Sequence, residues 1–250
     1  MKILMACRSL AISALMAGFA LPAFAQSTIT FEGLLNNESI NQFYNGGTGG
    51  SGSGPGANYG VSFSPNARAL IDYDAGGTGN FGGEPSPDTG MYFLTGTAVM
   101  NVPAGFTTGF SFYYSAPNNP ASITVYDGLN GTGNVLATLA LPTTPLNGAP
   151  DPNGAFSPFV PIGVTFAGTA RSVDFGGTVN QVVFDNITIG SATPGNGNGN
   201  GTATCASEGY TGTKLLWCRN LCEKGYTGST LNAWIHRWIR QFRDLPYCAR

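Results

Sequence analysis

Charge is what this chain has least of. Charged residues fill 10% of its 250 positions, against about 25% in an ordinary soluble domain. The scarcity is uneven: between Gln26 and Ala192 only Arg68 and Arg171 stand against ten acids, a net charge of −8. That stretch also holds no lysine, histidine, cysteine or tryptophan. Without His or Cys, no Ser-His-Asp or Cys-His nucleophile system can be assembled there. Without a basic face nothing neutralises a run of phosphates, so nucleic acid is not an expected partner. Long apolar runs are missing too; beyond the N-terminus none reaches the roughly 20 residues that a membrane span needs.

What is present at the N-terminus reads as an export signal. Lys2 and Arg8 precede an apolar run from Leu10 to Leu21, and Ala23-Phe24-Ala25 is a small-x-small cleavage site. Residues 1–25 are therefore expected to be a signal peptide, with a mature chain beginning near Gln26 that is secreted or at the cell surface, the periplasm being the alternative. Cys7 lies within the signal, leaving Cys205, Cys218, Cys222 and Cys248. An even number of cysteines in an exported chain predicts two disulfides.

The chain divides by composition. "TPGNGNGNGTAT" (193–204) has no apolar periodicity and is expected to be a flexible linker. Before it, residues 26–192 are long enough for one core. The 205–250 tail, with seven basic residues against three acids, is too short to be stable without covalent help. Short β-rich runs recur through 26–192 between Gly, Pro, Asn and Asp clusters. "TGFSFYYS" alternates Phe110 and Phe112 onto one face, and "ASITVYDG" does the same with Ile123 and Val125. This predicts an all-β, jelly-roll-type sandwich. "GGTGGSGSGPG" (46–56) has no strand before it and no helix after it, so it reads as a flexible loop rather than a phosphate cradle.

The tail has a different period. Leu231, Trp234, Ile235, Trp238, Ile239 and Phe242 form the stripe of an amphipathic helix, with Ser229 or Thr230 able to cap its start. An earlier helix is expected from about Thr213 to Lys224. Together they predict a small disulfide-stapled two-helix hairpin, with the Trp stripe packed on Leu215, Leu216 and Leu221. Cys218 and Cys222, four apart, share a helix face and suit two outward cross-links. Of the three connectivities available, an antiparallel return favours Cys218–Cys248 with Cys205–Cys222. Each closure contributes about 2–4 kcal/mol. A zinc site using these cysteines and His236 is the less favoured alternative, because C-x3-C lacks the usual knuckle spacing. Arg237, Arg240 and Arg243 face outward and are available to an anionic cell surface or membrane.

Two acid groupings carry what chemistry the sandwich could have. Asp72 and Asp74 in "IDYD" are expected on one strand face with Glu84 and Asp88 on a nearby loop, the residue types that glycoside hydrolysis requires. In "VVFDNITIG", Val182 and Phe184 share a face while Ile187 and Ile189 fall on the other. Both pairs reach the core only if a β-bulge at Asp185-Asn186 absorbs one residue. Glu32 ends the first strand in "ITFEG", and the terminal strands of jelly rolls often lie side by side. Glu32, Asp185 and backbone carbonyls are thus a candidate set for a structural calcium ion; the somewhat favoured alternative is that Asp185-Asn186 is turn chemistry only.

At these residues the chain resembles a known group. "ITFEG", "FSFYYSAPNNPASITVYDGLNGTGNVLATLAL" and "VVFDNITIG" are similar to the exported β-sandwich domains of PEP-CTERM-type bacterial surface proteins. Those in turn resemble galactose-binding-like and carbohydrate-binding-module jelly rolls. The resemblance covers most of Thr28 to Gly190, and it too implies calcium at Glu32 and Asp185. Sugar platforms stack on aromatics, and without tryptophan the candidates are Tyr73, Tyr92, Tyr113 and Tyr114. The tail resembles a cysteine-rich module at the C-termini of varied exported proteobacterial proteins, on "GYTGTKL", "CEKGYTG" and "RDLPYC". The expected function is that of a non-enzymatic surface protein. Its sandwich binds glycan or extracellular matrix, and its basic tail associates with the cell surface or sorts the protein. The alternatives are a polysaccharide hydrolase or lyase using Asp72 and Glu84, and a membrane-active tail on an inert sandwich.

Overall fold

The computed structural model describes residues 26–144, 155–156, 159–195, 205, 212–224 and 228–243. The expected signal peptide, most of the linker and Cys248 lie outside the described residues. Eleven strands follow in order: β1 (Ser27–Ile29), β2 (Ser62–Phe63), β3 (Ala67–Ile71), β4 (Thr89–Phe93), β5 (Ala98–Phe106), β6 (Gly109–Ser115), β7 (Ala121–Tyr126), β8 (Val135–Leu141), β9 (Val160–Thr165), β10 (Ala170–Gly177) and β11 (Val183–Ile189). One sheet runs β3-β4-β11-β6-β9, with β1 also on β11; the other runs β2-β5-β10-β7-β8. From β4 onward the chain crosses from sheet to sheet at every step except the β7–β8 hairpin. The two quartets β4-β11-β6-β9 and β5-β10-β7-β8 are the interleaved pattern of a jelly roll.

Alternation puts one face of each strand into a shared core. Phe110, Phe112 and Tyr114 of β6 point inward, as do Phe175 of β10 and Phe184 of β11. The rings meet edge-on: Phe175 lies 5.1 Å from Phe184, 5.9 Å from Phe110 and 6.1 Å from Phe112, centroid to centroid. The bulge in β11 is present. Asp185 pairs with Tyr113 and Thr188 with Ser111, so Asn186 and Ile187 together oppose Phe112. Asn186 takes a φ of 49° to make the kink, and Phe184, Ile187 and Ile189 all stay in the core.

The glycine-rich loop differs from expectation: it is wrapped around a carboxylate. Glu38, 1% exposed, accepts bonds from Ser51 N (2.6 Å), Ser53 N (3.1 Å), Leu35 N (2.8 Å) and the Ser53 hydroxyl. Glycine is needed at position 49, where a Cβ would sit 2.5 Å from Glu38 Oε1. Burial pushes Glu38 up, but donors from Ser53, Leu35 and Ser51 outweigh it and hold the carboxyl below its usual range. A folded value below the unfolded one gives stability that is complete above about pH 4.3 and is lost as pH falls through the folded value. Glu38→Gln is therefore expected to destabilise the sandwich by about 2 kcal/mol at pH 7. The deficit should shrink as the wild-type protein is titrated below pH 4, which urea melts across pH 2.5–7 would check.

The chain beyond β11 does not leave at once. Residues 191–195 cross the outer face of the first sheet: Ser111 Oγ donates to Ser191 O (2.8 Å), Gly195 N to Thr188 Oγ1 (2.8 Å), and Asn186 Nδ2 to Gly195 O (3.0 Å). The start of the expected linker is thus held on the sandwich, and residues 196–204 lie outside the described ones. A Cβ at Gly163 would meet Ala192 O at 2.0 Å, so β9 needs glycine to let this segment pass.

In the tail, α1 (Gly212–Cys218) runs into a π-helical turn (Arg219–Glu223), and α2 spans Gly228–Phe242. Because α2 begins at Gly228, Ser229 and Thr230 lie in its first turn rather than at its cap. Trp238 is fully buried against Cys205, Cys218 and Leu221, with Leu215, Trp217, Trp234 and Phe242 around it. Trp217 meets Trp234 at 6.0 Å and Phe242 at 5.5 Å, both edge-on. Leu216, expected in this core, is 60% exposed; it lies on the far side of α1 from Cys218 and Leu221. The connectivity also differs from expectation. Cys205 pairs with Cys218, their Cα atoms 5.7 Å apart, while Cys222 is disulfide-bonded to a partner outside the described residues. A regular α-helix would put Cys218 and Cys222 one turn apart on a single face. The helix instead loosens between them, and the sulfurs of Cys205, Cys218 and Cys222 all lie within 4.8 Å of one another.

Candidate functional site

Two constellations flank the first sheet. The first is built where its terminal strands meet. β1 stops at Ile29 because Phe31 turns to a φ of 64°, and Glu32 follows that turn. Glu32 Oε1 accepts from Asp88 N (3.0 Å) and Thr89 N (2.9 Å), and Oε2 from Thr89 Oγ1 (3.1 Å). Asp185 sits at the β11 bulge, fully buried. Its Oδ2 accepts from Ser86 N (3.0 Å) and Ser86 Oγ (2.6 Å), and its Oδ1 from Asn186 N (2.6 Å). Both acids of the sequence pair thus reach one segment, residues 86–89, and both adjoin a left-handed residue, Phe31 or Asn186. Strain of that kind concentrates at functional sites.

Burial pushes both carboxyls up, Asp185 far above the carboxylate range despite its three donors, and the Glu32 charge adds to the rise. Burial likewise raises the Tyr44 phenol, helped by the charges of Glu32 and Asp185. Two carboxylates, the Ser86 and Thr89 hydroxyls and the Thr30 carbonyl, which accepts from Ser86 Oγ at 3.2 Å, make an all-oxygen donor set. Oxygens of this kind are the ligands a hard cation takes; the Asn186 Oδ1 is buried without a hydrogen-bond partner.

The other acids are placed differently from expectation. Asp72 and Asp74 do not share a strand face, because β3 ends at Ile71 and the chain turns through Tyr73–Gly76, with Gly76 N bonded to Tyr73 O and Gly77 N to Asp72 O. A Cβ at Gly77 would meet Ile71 O at 2.0 Å, so glycine enforces the turn. Asp72 is fully buried, while Glu84 is pushed up to about 8 by burial, with its own backbone N–H and Lys224 opposing and Asp72 adding to the rise.

The second constellation is a cavity of about 130 Å³ on the outer face of the first sheet. Leu70 of β3, Tyr92 of β4 and Val183 of β11 alternate away from the core and form its floor. Phe81 of the β3–β4 connection and Phe156, joined by a parallel bridge, form a wall; Phe159 braces Phe81 edge-on at 5.9 Å. Amides rim the cavity: Asn80, Asn180 and Gln181. Gln181 Oε1 accepts from Asn118 and Asn119, each at 3.3 Å, and the Tyr92 hydroxyl donates to Asn37 Oδ1. Among the described residues, no carboxylate and no cation lines the space.

Of the four tyrosines expected as a platform, Tyr92 lines this cavity and Tyr113 packs on the neighbouring apolar cluster. Tyr73 stands 62% exposed on the turn after β3. Tyr114 is a correction: it is 2% exposed in the inter-sheet core, its hydroxyl donating to Pro142 O at 2.9 Å. Consecutive residues of a strand face opposite ways, so Tyr113 and Tyr114 cannot share a platform. Phe81, Phe156, Asn80, Asn180 and Gln181 were not singled out from sequence, because loops distant along the chain bring them together. Arg237, Arg240 and Arg243 are exposed, with the Arg237 guanidinium 5.3 Å over the Trp234 ring.

No protein-family model and no curated protein matches the chain. Among solved structures, the K2 cleaved adhesin domain of Lys-gingipain aligns with 67% of this chain and 98% of its own, at 13% identity and a TM-score of 0.43. The CsCBM6-3 module from Clostridium stercorarium, in complex with cellobiose, aligns over 52% and 86% at 14% identity and a TM-score of 0.33. The carbohydrate-binding module CBM6cm-2 of Cellvibrio mixtus lichenase 5A, in complex with cellotriose, aligns over 50% and 87% at 15% identity and a TM-score of 0.30.

Proposed function

We propose that the sandwich is a non-enzymatic glycan-binding module of an exported protein, and that its ligand enters the cavity between Tyr92 and the Phe81–Phe156 wall. The observation that carries this is the lining itself. Rings and aliphatic side chains match the apolar C–H face of a pyranose, and the Asn80, Asn180 and Gln181 amides match its hydroxyls. Glu32 and Asp185 hold a structural calcium ion in this reading, fixing β1 to β11. The basic tail, through Arg237, Arg240 and Arg243, keeps the protein at an anionic cell surface, and the extracellular matrix is the other source of ligand. A glycan array probed with the purified mature chain tests the reading. Binding to at least one oligosaccharide is expected, and silence across neutral and acidic glycans would sink it. Asn80→Ala is expected to weaken binding about tenfold, roughly 1.4 kcal/mol.

The polysaccharide hydrolase or lyase reading rests on one observation, the Glu84 carboxyl held near 8 beside Asp72, a general acid's profile. Against it, Asp72 is fully buried and neither acid lines the cavity. Release of reducing ends from a polysaccharide panel, abolished by Glu84→Gln, would reverse the preference. For the membrane-active tail, burial of Trp238 inside the hairpin removes the strongest interfacial anchor, so leakage from anionic liposomes is not expected.

A further inference from the structure

The three sulfurs in the hairpin core stand in a relation that two independent staples do not require. Cys205 and Cys218 are bonded to each other, and Cys222 is in a second disulfide. Yet all three sulfur atoms lie within 4.8 Å of one another. Burial separates their roles. Cys205 and Cys218 are fully buried beneath Trp238, whereas Cys222 is partly exposed. Of the three, Cys222 alone meets solvent, while the Cys205–Cys218 bond is closed to a reductant.

From this arrangement we infer that the hairpin is a thiol–disulfide relay, in which Cys222 passes reduction from solvent to the buried Cys205–Cys218 bond. In the first step a dithiol reductant attacks the Cys222 disulfide, forms a mixed disulfide and then closes on itself. The reductant leaves oxidised, and Cys222 and its former partner are left as thiols, a two-electron change. In the second step the Cys222 thiolate attacks Cys205 Sγ, a Cys205–Cys222 bond forms, and the electron pair of the broken bond leaves on Cys218 as a thiolate. This step needs no further oxidant or reductant. The loosened π-helical turn that begins at Arg219 separates the two helix cysteines, so exchange moves the staple by about one turn along the chain.

The test uses the full mature chain, oxidised and then exposed to limiting dithiothreitol. After acid quench and alkylation in denaturant, peptide mapping locates the thiols in molecules that have lost one disulfide. The relay predicts label on Cys218, and a Cys205–Cys222 peptide, in at least a tenth of them. If label falls only on Cys222 and its former partner, with Cys205–Cys218 intact throughout, the relay is overturned. A second measurement stands apart from the equilibrium position. In Cys222→Ala, the Cys205–Cys218 bond is expected to open at least tenfold more slowly in the same reductant. An unchanged rate would show that the buried bond opens without Cys222 and would overturn the proposal too.

Discussion

In chelator, the sandwich is expected to melt several degrees higher at pH 5 than at pH 7, and calcium is expected to erase that difference by stabilising the pH 7 state. The sign follows from the carboxyls whose folded values are raised: Asp185, Glu32, Glu84 and Asp88, burial being the leading cause in each. A raised folded value gives stability that is complete below the unfolded value, near 4, and is lost as pH climbs toward the folded one. Glu38 and Asp127, the carboxyls held low by their donors, change protonation below that window and do not oppose the trend. A cation at Glu32 and Asp185 replaces solvation with oxygen–metal attraction and reverses it. At a calcium concentration 100 times Kd the gain is about 2.7 kcal/mol, roughly 8 °C for a domain of this size. Asp185→Ala should lose the whole calcium-dependent shift. If calcium moves neither the wild-type melt nor its pH dependence, the backbone and hydroxyl donors satisfy these carboxyls alone, and the cation is dispensable.

The second large effect belongs to the tail. Cys218→Ser removes the Cys205–Cys218 bond from a hairpin whose fully buried residues, among those described, are Cys205, Cys218, Leu221 and Trp238. Loss of a native disulfide from so small a module costs about 2–5 kcal/mol, comparable with all that such a core supplies. The hairpin should therefore unfold at room temperature. Trp238, fully buried in the native state, reports this directly, with a red-shifted emission and rapid tryptic cleavage at Arg237 and Arg240. The sandwich should remain folded, because its core contains no residue of the tail. A variant with native emission would mean that the aromatic packing around Trp238 is sufficient without the staple.

Much of this architecture was legible in the sequence, and the reasons are local. "TGFSFYYS" and "VVFDNITIG" carry period-two patterns, and the break in the second marks the bulge that the register places between Asp185 and Thr188. The helical stripe from Trp234 to Phe242 likewise reads directly as α2. What was not legible depended on contacts across long separations. Nothing near Gly46–Gly56 announces that this loop encloses Glu38, since the acid lies upstream and its donors are backbone N–H groups and one serine hydroxyl. The cavity was hidden for the same reason. Tyr92 could be nominated as an aromatic on a strand, but Phe81 and Phe156 meet only through a bridge between two connections. The disulfide pairing failed on a smaller scale: a helix wheel cannot foresee that α1 loosens into a π turn between its two cysteines.

In the proposed function a glycan binds in the cavity of Tyr92, Phe81 and Phe156 with its amide rim. Calorimetric titration of an array-identified oligosaccharide into the wild-type chain, Gln181→Ala, Phe156→Ala and Tyr73→Ala tests it most directly. Gln181→Ala and Phe156→Ala, both at the cavity, should each weaken binding about tenfold or more, while Tyr73→Ala, on the exposed turn beyond β3, should bind as the wild type does. Loss of binding in Tyr73→Ala, with both cavity variants unchanged, would place the ligand elsewhere and contradict the account.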